Sequence, residues 1–408
     1  PSSSSTNAFD QGLHELDERF KALAQAEIEN PFFRTFDGSG GATIETEGRT
    51  LLNFASYNYL GLAGQEEVKA AAKRAIDRYG TSVSASRLSS GERGLHQSLE
   101  TALARFVGAE DSLVFVGGHA TNVSVIGHLC SPEDLIVYDS LMHNSAILGA
   151  RLSGARCLSF PHNDTDALDR LLARERRAHR LALVLVEGAY STDGDVPDLP
   201  ALLRVKRSHN ARLLVDEAHS VGVLGASGRG IAEHAGVPAG DIDILMGTLS
   251  KSLASCGGYI AGNASLIRYL RYTCPGFVFS AGISPANAAA SLCAIEMIEA
   301  EPGRVTALRE NARTFGELAR AAGLDTGRAF GTAVVPVMVG DDFGALRLSN
   351  DLFRAGVNVQ PLVSPAVEPG RARLRFFISS LHTREQLESA VELTANGLRE
   401  IRGATATV

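Results

Sequence analysis

Lysine is scarce in this 408-residue chain. Of its 39 basic residues only Lys21, Lys69, Lys73, Lys206 and Lys251 are lysine, and the other 34 are arginine. A surface solvated by arginine makes a lysine inside an apolar stretch worth a chemical explanation. Cysteine is sparse too: Cys130, Cys157, Cys256, Cys274 and Cys293 are odd in number and form no CxxC pair. That spacing argues against a disulfide framework or a metal site and suits reduced thiols in a cytoplasmic protein. No apolar run approaches the ~20 residues that a membrane-spanning helix needs. Positive charge is not in excess, the formal net charge being −7, which weighs against nucleic acid or an anionic membrane as partner. The start, Pro1-Ser-Ser-Ser-Ser-Thr6, lacks a methionine and the basic and apolar regions of a secretory signal. It is expected to be a trimmed or excised piece of a longer polypeptide.

What the chain does have is apolar material and glycine. Hydrophobic residues make up 45%, enough for a large core spread over two to three domains. The 41 glycines are about one residue in ten, above a usual ~7%, and suit tight turns and close backbone approach to a ligand. Phe9, Leu13, Leu16, Phe20 and Leu23 recur at helical spacing and predict an amphipathic helix over 9–29. The stretch 43–54 alternates around a turn and predicts a hairpin, and after Glu66 a helix is expected to run to Tyr79, stopped by Gly80. From about 95 to 260, helices alternate with short apolar strands, expected at 112–116, 135–138, 183–187, 212–216 and 242–246. That alternation predicts an α/β fold with a large, mostly parallel sheet covered on both faces. A second, smaller α/β layer follows a long helix near 285–300, with strands expected at 333–339, 357–359 and 373–379, a helix over 343–355 and a last helix from Thr383. The expected division is an N-terminal arm and hairpin (1–60), a large domain (61–290) and a small C-terminal domain (291–408).

Ligands of parallel sheets sit beyond the carboxyl ends of the strands, and the candidate chemistry clusters there. Leu213-Leu-Val-Asp-Glu-Ala-His219 ends an apolar strand on a carboxylate. An N-cap aspartate and a surface histidine would look the same. The letters also spell the DEAH box of a nucleotide hydrolase. However, Gly247-Thr-Leu-Ser-Lys-Ser252 lacks the glycine before lysine of a phosphate loop and follows the box instead of preceding it. Lys251 lies just past the next strand, before Ser-Leu-Ala-Ser-Cys-Gly-Gly258, which holds no other charge. Desolvation there should lower its pKa toward nucleophilic range. An amine and a carboxylate at neighbouring strand ends describe a pyridoxal 5′-phosphate site: the aldehyde takes the lysine, and the ring nitrogen takes the aspartate. Phe115-Val-Gly-Gly-His-Ala-Thr-Asn122 offers a strand-to-helix turn whose amides suit the phosphate. His143, past another strand, suits a ring stack, and Ser191 lies in the loop 187–195.

The set resembles the α-oxoamine synthases, fold-type I pyridoxal phosphate enzymes. Its motifs are Ser56-Tyr-Asn-Tyr-Leu-Gly-Leu62, Ser86-Arg-Leu-Ser-Ser-Gly91 with His96, Glu187–Asp195, Val215-Asp-Glu-Ala-His219, Gly247-Thr-Leu-Ser-Lys251 and Arg373-Leu-Arg375. They run across about 53–383. The resemblance implies catalytic roles for Lys251, Asp216, His219 and His143: Schiff-base amine, partner of the ring nitrogen, partner of the ring O3′ and ring stack. It implies phosphate contacts from Gly118, His119 and Thr248, and from the partner subunit's Ser280, with Ser191 near the ring oxygen. His119 departs from the family's usual phenylalanine or tyrosine. Arg375 would clamp an amino-acid carboxylate, with Ser86 and Tyr57 also at the substrate. Serine at 86, where glycine-selective members have threonine, leaves room for alanine or serine as well as glycine. Ala366 stands where some members have a substrate-contacting threonine, which leaves that role unfilled. The implied reaction joins a small amino acid to an acyl thioester with loss of CO₂, in a homodimer without a metal. The segments 80–87 and 118–128 with His143-Asn144 are most similar to such domains fused to polyketide synthases, so an acyl-carrier protein is an expected donor beside acyl-CoA. An aminotransferase or lyase of the same fold, and a catalytically silent carrier-docking subunit, are the competing expectations.

Overall fold

The computed structural model describes residues 7–329 and 331–405. Helix α1 (Ala8–Gln25) begins at Asn7, whose side chain accepts the Asp10 amide, and none of its residues is buried. The expected apolar stripe is present but open, with Phe9 73% exposed. The helix stops four residues short of expectation, two residues before Glu27 takes a positive φ of 54°. Strands β1 (Thr43–Thr46) and β2 (Arg49–Asn53) pair antiparallel. Glu47 and Gly48 both have positive φ, the geometry that lets a two-residue turn match strand twist. Helix α2 (Glu66–Tyr79) carries Glu66 and Glu67 in its first turn and Arg78 in its last, complementing the helix dipole, and ends on Gly80 at φ 79°. Helix α3 (Gly94–Val107) follows.

The core sheet is then laid down as β3 (Asp111–Phe115), α4 (Gly118–Leu129), β4 (Leu135–Asp139), α5 (Asn144–Leu152), β5 (Arg156–Phe160), α6 (Thr165–Glu175), β6 (Ala182–Glu187), α7 (Leu199–Ser208), β7 (Arg212–Asp216), α8 (Ile231–Ala235), β8 (Ile244–Thr248) and β9 (Gly258–Gly262). Its strand order is β3-β9-β8-β7-β6-β4-β5, parallel except for β9. All six residues of β6 are buried. Leu213 and Val215 face one apolar layer and Leu214 the other, which is why these strands read as unbroken apolar runs. Strand β8 starts two residues later than expected, because Asp243 is spent on ion pairs with Lys206 and Arg212. Two strands of this sheet go beyond the expected set. β5 is a half-exposed edge strand, and β9 is glycine-bounded because a Cβ at Gly258 would lie 2.4 Å from Thr121 Oγ1.

The chain continues through α9 (Ala264–Thr273), α10 (Pro275–Val278), α11 (Pro285–Ala300) and α12 (Gly303–Ala321) to β10 (Val334–Gly340), α13 (Asp342–Arg354), β11 (Val357–Asn358), β12 (Gln360–Leu362), β13 (Ala372–Phe377) and α14 (Arg384–Thr405). Strands β10, β13 and β12 form an antiparallel sheet. Strand β11 instead pairs parallel with β2, so the N-terminal hairpin is completed from the far end of the chain. The loop after β6 is pinned to the second sheet: Gly194 sits at φ 68°, its carbonyl accepts the Thr332 hydroxyl at 2.9 Å, and a Cβ there would meet Val334 O at 2.0 Å. Gly194→Ala is therefore expected to cost about 1–3 kcal/mol or more. Thermal unfolding of the variant should show a lowered midpoint; an unchanged one would mean the loop and sheet are not locked together.

Candidate active site

Register places the site. In the parallel ladder Glu187 at the end of β6 is the partner of Asp216 at the end of β7, and Asp216 is the partner of Met246 in β8. Paired positions of adjacent strands point the same way, so two carboxyl groups stand side by side at one sheet edge. Asp216 is buried; its Oδ2 accepts from Asn122 Nδ2 at 2.7 Å and its Oδ1 from the Ala218 amide at 3.0 Å. Glu187 is buried as well, and its Oε2 accepts the Ser191 amide at 3.0 Å. Burial first, and the neighbouring Asp216 second, push the Glu187 pKa up to about 8, so it holds its proton at neutral pH. Lys251, in the turn after β8, goes the other way. Burial lowers it to about 8 against the opposing pull of Asp216 and Glu187, with Arg375 adding to the fall. The Tyr57 ring lies 5.4 Å from its ammonium.

Gly118, His119, Asn122, His143, Ser145 and Thr248 line the pocket together with Glu187, Asp216, Ala218, His219, Met246 and Lys251. His219 shares a 2.8 Å hydrogen bond between Nδ1 and the Tyr59 hydroxyl, and stacks on Phe377 at 6.4 Å. Its burial, beside Lys251 and Arg375, holds it well below the usual histidine range. His143 caps α5, and His119 meets it edge-on at 6.5 Å. At the start of α4 a Cβ on Gly118 would come within 2.9 Å of Thr248 Oγ1, so only glycine lets helix and strand close up. The first-turn amides of that helix have no intrahelical acceptor. Arg375 donates from Nη1 to Ser191 O at 3.0 Å and lies over the Phe377 ring at 4.7 Å. The sequence candidates Gly118, His119, His143, Asp216, His219, Thr248 and Lys251 thus converge, with Tyr57, Ser191 and Arg375 against them.

Ser86 and Ser280 stand apart from this pocket. Ser86 Oγ donates to Val278 O at 2.7 Å and accepts the Leu88 amide, and Ser86 bridges to Ala281, next to Ser280. A larger apolar groove lined by Leu16, Phe20, Phe33, Phe343 and Val363 lies between α1 and α13, without the amine and carboxyl cluster. The site also recruits residues the sequence did not single out: Glu187, Asn122, Ser145 and His162. Asn122 lies one turn beyond Gly118 in α4, a spacing that could have flagged it. His162 follows no such pattern. Its Nδ1 is 2.8 Å from Asp139 Oδ1 and its Nε2 is 2.8 Å from Asp195 Oδ2. It therefore joins the turn leading to His143 with the loop carrying Ser191.

Those groups fit pyridoxal 5′-phosphate: an amine for its aldehyde, a buried carboxylate for its ring nitrogen, and glycine-lined amides for its phosphate. Two buried polar atoms facing the pocket, Glu187 Oε1 and Asn122 Oδ1, have no partner among the described residues, as a polar ligand site requires.

His162 makes the clamp sensitive to pH. Burial alone would lower its pKa, but Asp139 and Asp195 raise it to about 9. Against an unfolded value near 6.5, the cation stabilises fully below pH 6.5, and that contribution is lost as pH rises through 9. It amounts to roughly 2–3 kcal/mol. The thermal midpoint of the wild type should fall between pH 6.5 and 9 more steeply than that of His162→Gln. Equal slopes would remove the clamp from the account.

Residues 49–393 match the family model for aminotransferase class I and II. Over 370 residues the chain is 41% identical to 8-amino-7-oxononanoate synthase of Geobacter sulfurreducens, covering 90% of this chain and 94% of that one. It is 38% identical over 362 residues to serine palmitoyltransferase of Bacteroides thetaiotaomicron, covering 89% and 91%. A solved serine palmitoyltransferase from S. paucimobilis, bound to a PLP–myriocin aldimine, superposes with a TM-score of 0.91 at 28% identity, over 97% of this chain and 99% of that one. The chain belongs to the aminotransferase class I and II family and, within it, to the pyridoxal 5′-phosphate-dependent α-oxoamine synthases.

Proposed function

We propose that this enzyme condenses a small L-amino acid (alanine, serine or glycine) with an acyl thioester, releasing CO₂, free thiol and an α-aminoketone. What carries the reading is Lys251, an amine with a pKa near 8 at the strand end next to buried Asp216. Pyridoxal phosphate, when bound, supplies the electron sink for a carbanion at the amino-acid α-carbon. With the cofactor bound, Lys251 would hold its aldehyde, and the same Nζ amine, its pKa brought down to about 8 by burial, would be the group that takes the α-proton. Asp216, oriented by Asn122 and the Ala218 amide, keeps the ring nitrogen protonated. His219 would serve the ring hydroxyl, His143 would cover the ring face, and Ser191 would lie near the ring oxygen. The amides of Gly118 and His119, with Thr248, hold the phosphate, together with the partner subunit's Ser280. Arg375 takes the amino-acid carboxylate with its planar fork. The Tyr57 ring packs over Lys251; Ser86, outside the pocket of its own protomer, would leave space for the amino-acid side chain only from across the dimer interface. The α-carbon would bond to the thioester carbonyl carbon as the C–S bond breaks and the thiolate takes a proton from solvent; the β-keto acid would then lose CO₂, its α-carbon taking back the proton held on Lys251.

The donor is a phosphopantetheine thioester, the chemistry that acyl-CoA and an acyl-carrier protein share. A homodimer is also proposed; it would give cover to large apolar residues left exposed here, such as Phe279, 86% exposed, Tyr272 and Leu152. Among the described residues no helix is long and apolar enough to cross a membrane; a cytoplasmic location is part of the proposal.

Incubation with each amino acid and with acyl-CoA or acyl-carrier thioester should release thiol and CO₂ in equal amounts. Amino-group transfer without CO₂ would replace this reading by an aminotransferase. Lys251→Ala should fold, lose the absorbance of the lysine-bound cofactor, and lose about 10³-fold or more in turnover. Arg375→Lys should raise the amino-acid KM by about 10- to 100-fold, with a smaller effect on kcat. An unchanged KM would move the carboxylate elsewhere.

A further inference from the structure

Helix α5 is capped by a histidine, a residue seldom used there, and the cap determines which ring nitrogen carries the proton. His143 Nδ1 accepts the Ser145 backbone amide at 3.2 Å. A ring nitrogen that accepts an N–H has no proton of its own. The Ser145 hydroxyl lies 2.7 Å from the same Nδ1. Its direction follows from the other end of the chain. Asp216 Oδ2 is a carboxylate oxygen 2.7 Å from Asn122, so the Asn122 amide group faces it as donor. The second hydrogen of that NH₂ goes to Ser145 Oγ at 3.0 Å. Ser145 Oγ accepts there, and its own proton is left for His143 Nδ1. Every bond has one direction: Asn122 donates both ways, Ser145 passes the donation on, and Nδ1 only accepts.

We infer that Asn122 and Ser145 are positioning residues that hold His143 as the neutral Nε2–H tautomer, which makes this ring a hydrogen-bond donor toward the substrate and not a base. The ring stands at the open mouth of the pocket, and Nε2 makes no hydrogen bond to the described residues. Lys251, His119, Arg375 and the positive end of α5 all face the ring and disfavour an imidazolium, with Asp216 opposing them. Burial is the largest influence and lowers its pKa ahead of any of these charges, which favours the neutral form at neutral pH. Proton removal is thereby left to Lys251, while Nε2–H is available to a developing oxyanion, such as that of an attacked thioester carbonyl. That use rests on the proposed condensation; the tautomer does not.

The test is ¹⁵N NMR of holoenzyme labelled at histidine, with the His143 signals identified by their loss in His143→Gln. The expected wild-type pattern is an unprotonated Nδ1 and a protonated Nε2 from pH 7 to 9, with no acyl donor present. In Ser145→Ala the backbone amide alone holds the ring, so Nδ1-protonated signal should appear. The same variant should lose about five- to tenfold in kcat with the amino-acid KM little changed. Ser145→Cys, nearly the same size but a poor donor, should follow alanine, which separates hydrogen bonding from packing. A doubly protonated or Nδ1-protonated ring in the wild type would overturn the inference even if the serine variants fail to fold. A wild-type tautomer that persists unchanged in both variants would remove Ser145 from it. The expected tautomer without any condensation would instead sink only the proposed reaction.

Discussion

A carboxylate taken out of water at the end of a strand is costly unless it is paired, and the site is organised around that cost at Asp216. Two N–H donors hold its oxygens, and a lysine from the neighbouring strand end supplies charge. The same burial makes the next carboxyl along the sheet, Glu187, keep its proton, and keeps His219 neutral. Asp216 and the Lys251 amine therefore stand beside a carboxyl and an imidazole that are both pushed toward neutrality. That is the electrostatic arrangement a cationic pyridine ring needs.

The second constraint is mechanical. Catalytic side chains sit on strand-end turns, which have little packing of their own. Here the turns are tied from behind. His162 joins Asp139 to Asp195, and Arg373 pairs with Asp193 at 2.9 Å while Arg375 bonds Ser191 O. Both arginines come from β13, so the loop after β6 belongs as much to the second sheet as to the first. Tyr57, Phe377 and His219 pack together at the same seam, with Tyr57 and Phe377 rings 4.8 Å apart. Chemistry and interlayer contact therefore share residues.

Much of the fold was legible locally. Helix α2 matched its expected bounds because dipole-complementing charges and a C-terminal glycine mark both ends. The buried strands β4, β6 and β7 were visible as apolar runs between helical segments. Strand β5 was not, because an edge strand with half-exposed faces has no such run. Strand β9 was hidden by its terminal glycines; β11 was expected at 357–359, but its pairing with β2 was not legible across the roughly 300 residues between them. In the site, Lys251, Asp216 and His219 were readable because charge in an apolar context is conspicuous. Asn122, Ser145 and His162 were not, since a neutral or single polar residue on a helix or loop carries no such contrast.

From the sequence alone came the residue types, the strand-end placement of amine and carboxylate, and the family resemblance, because each depends on short-range pattern. Tertiary structure decided which groups share an environment: that Glu187 stands level with Asp216, that Asn122 and Ser145 link Asp216 to His143, and that Arg375 reaches Ser191. Protonation states belong to the second class. They depend on burial and on neighbours brought from distant segments, and neither is encoded at any one position.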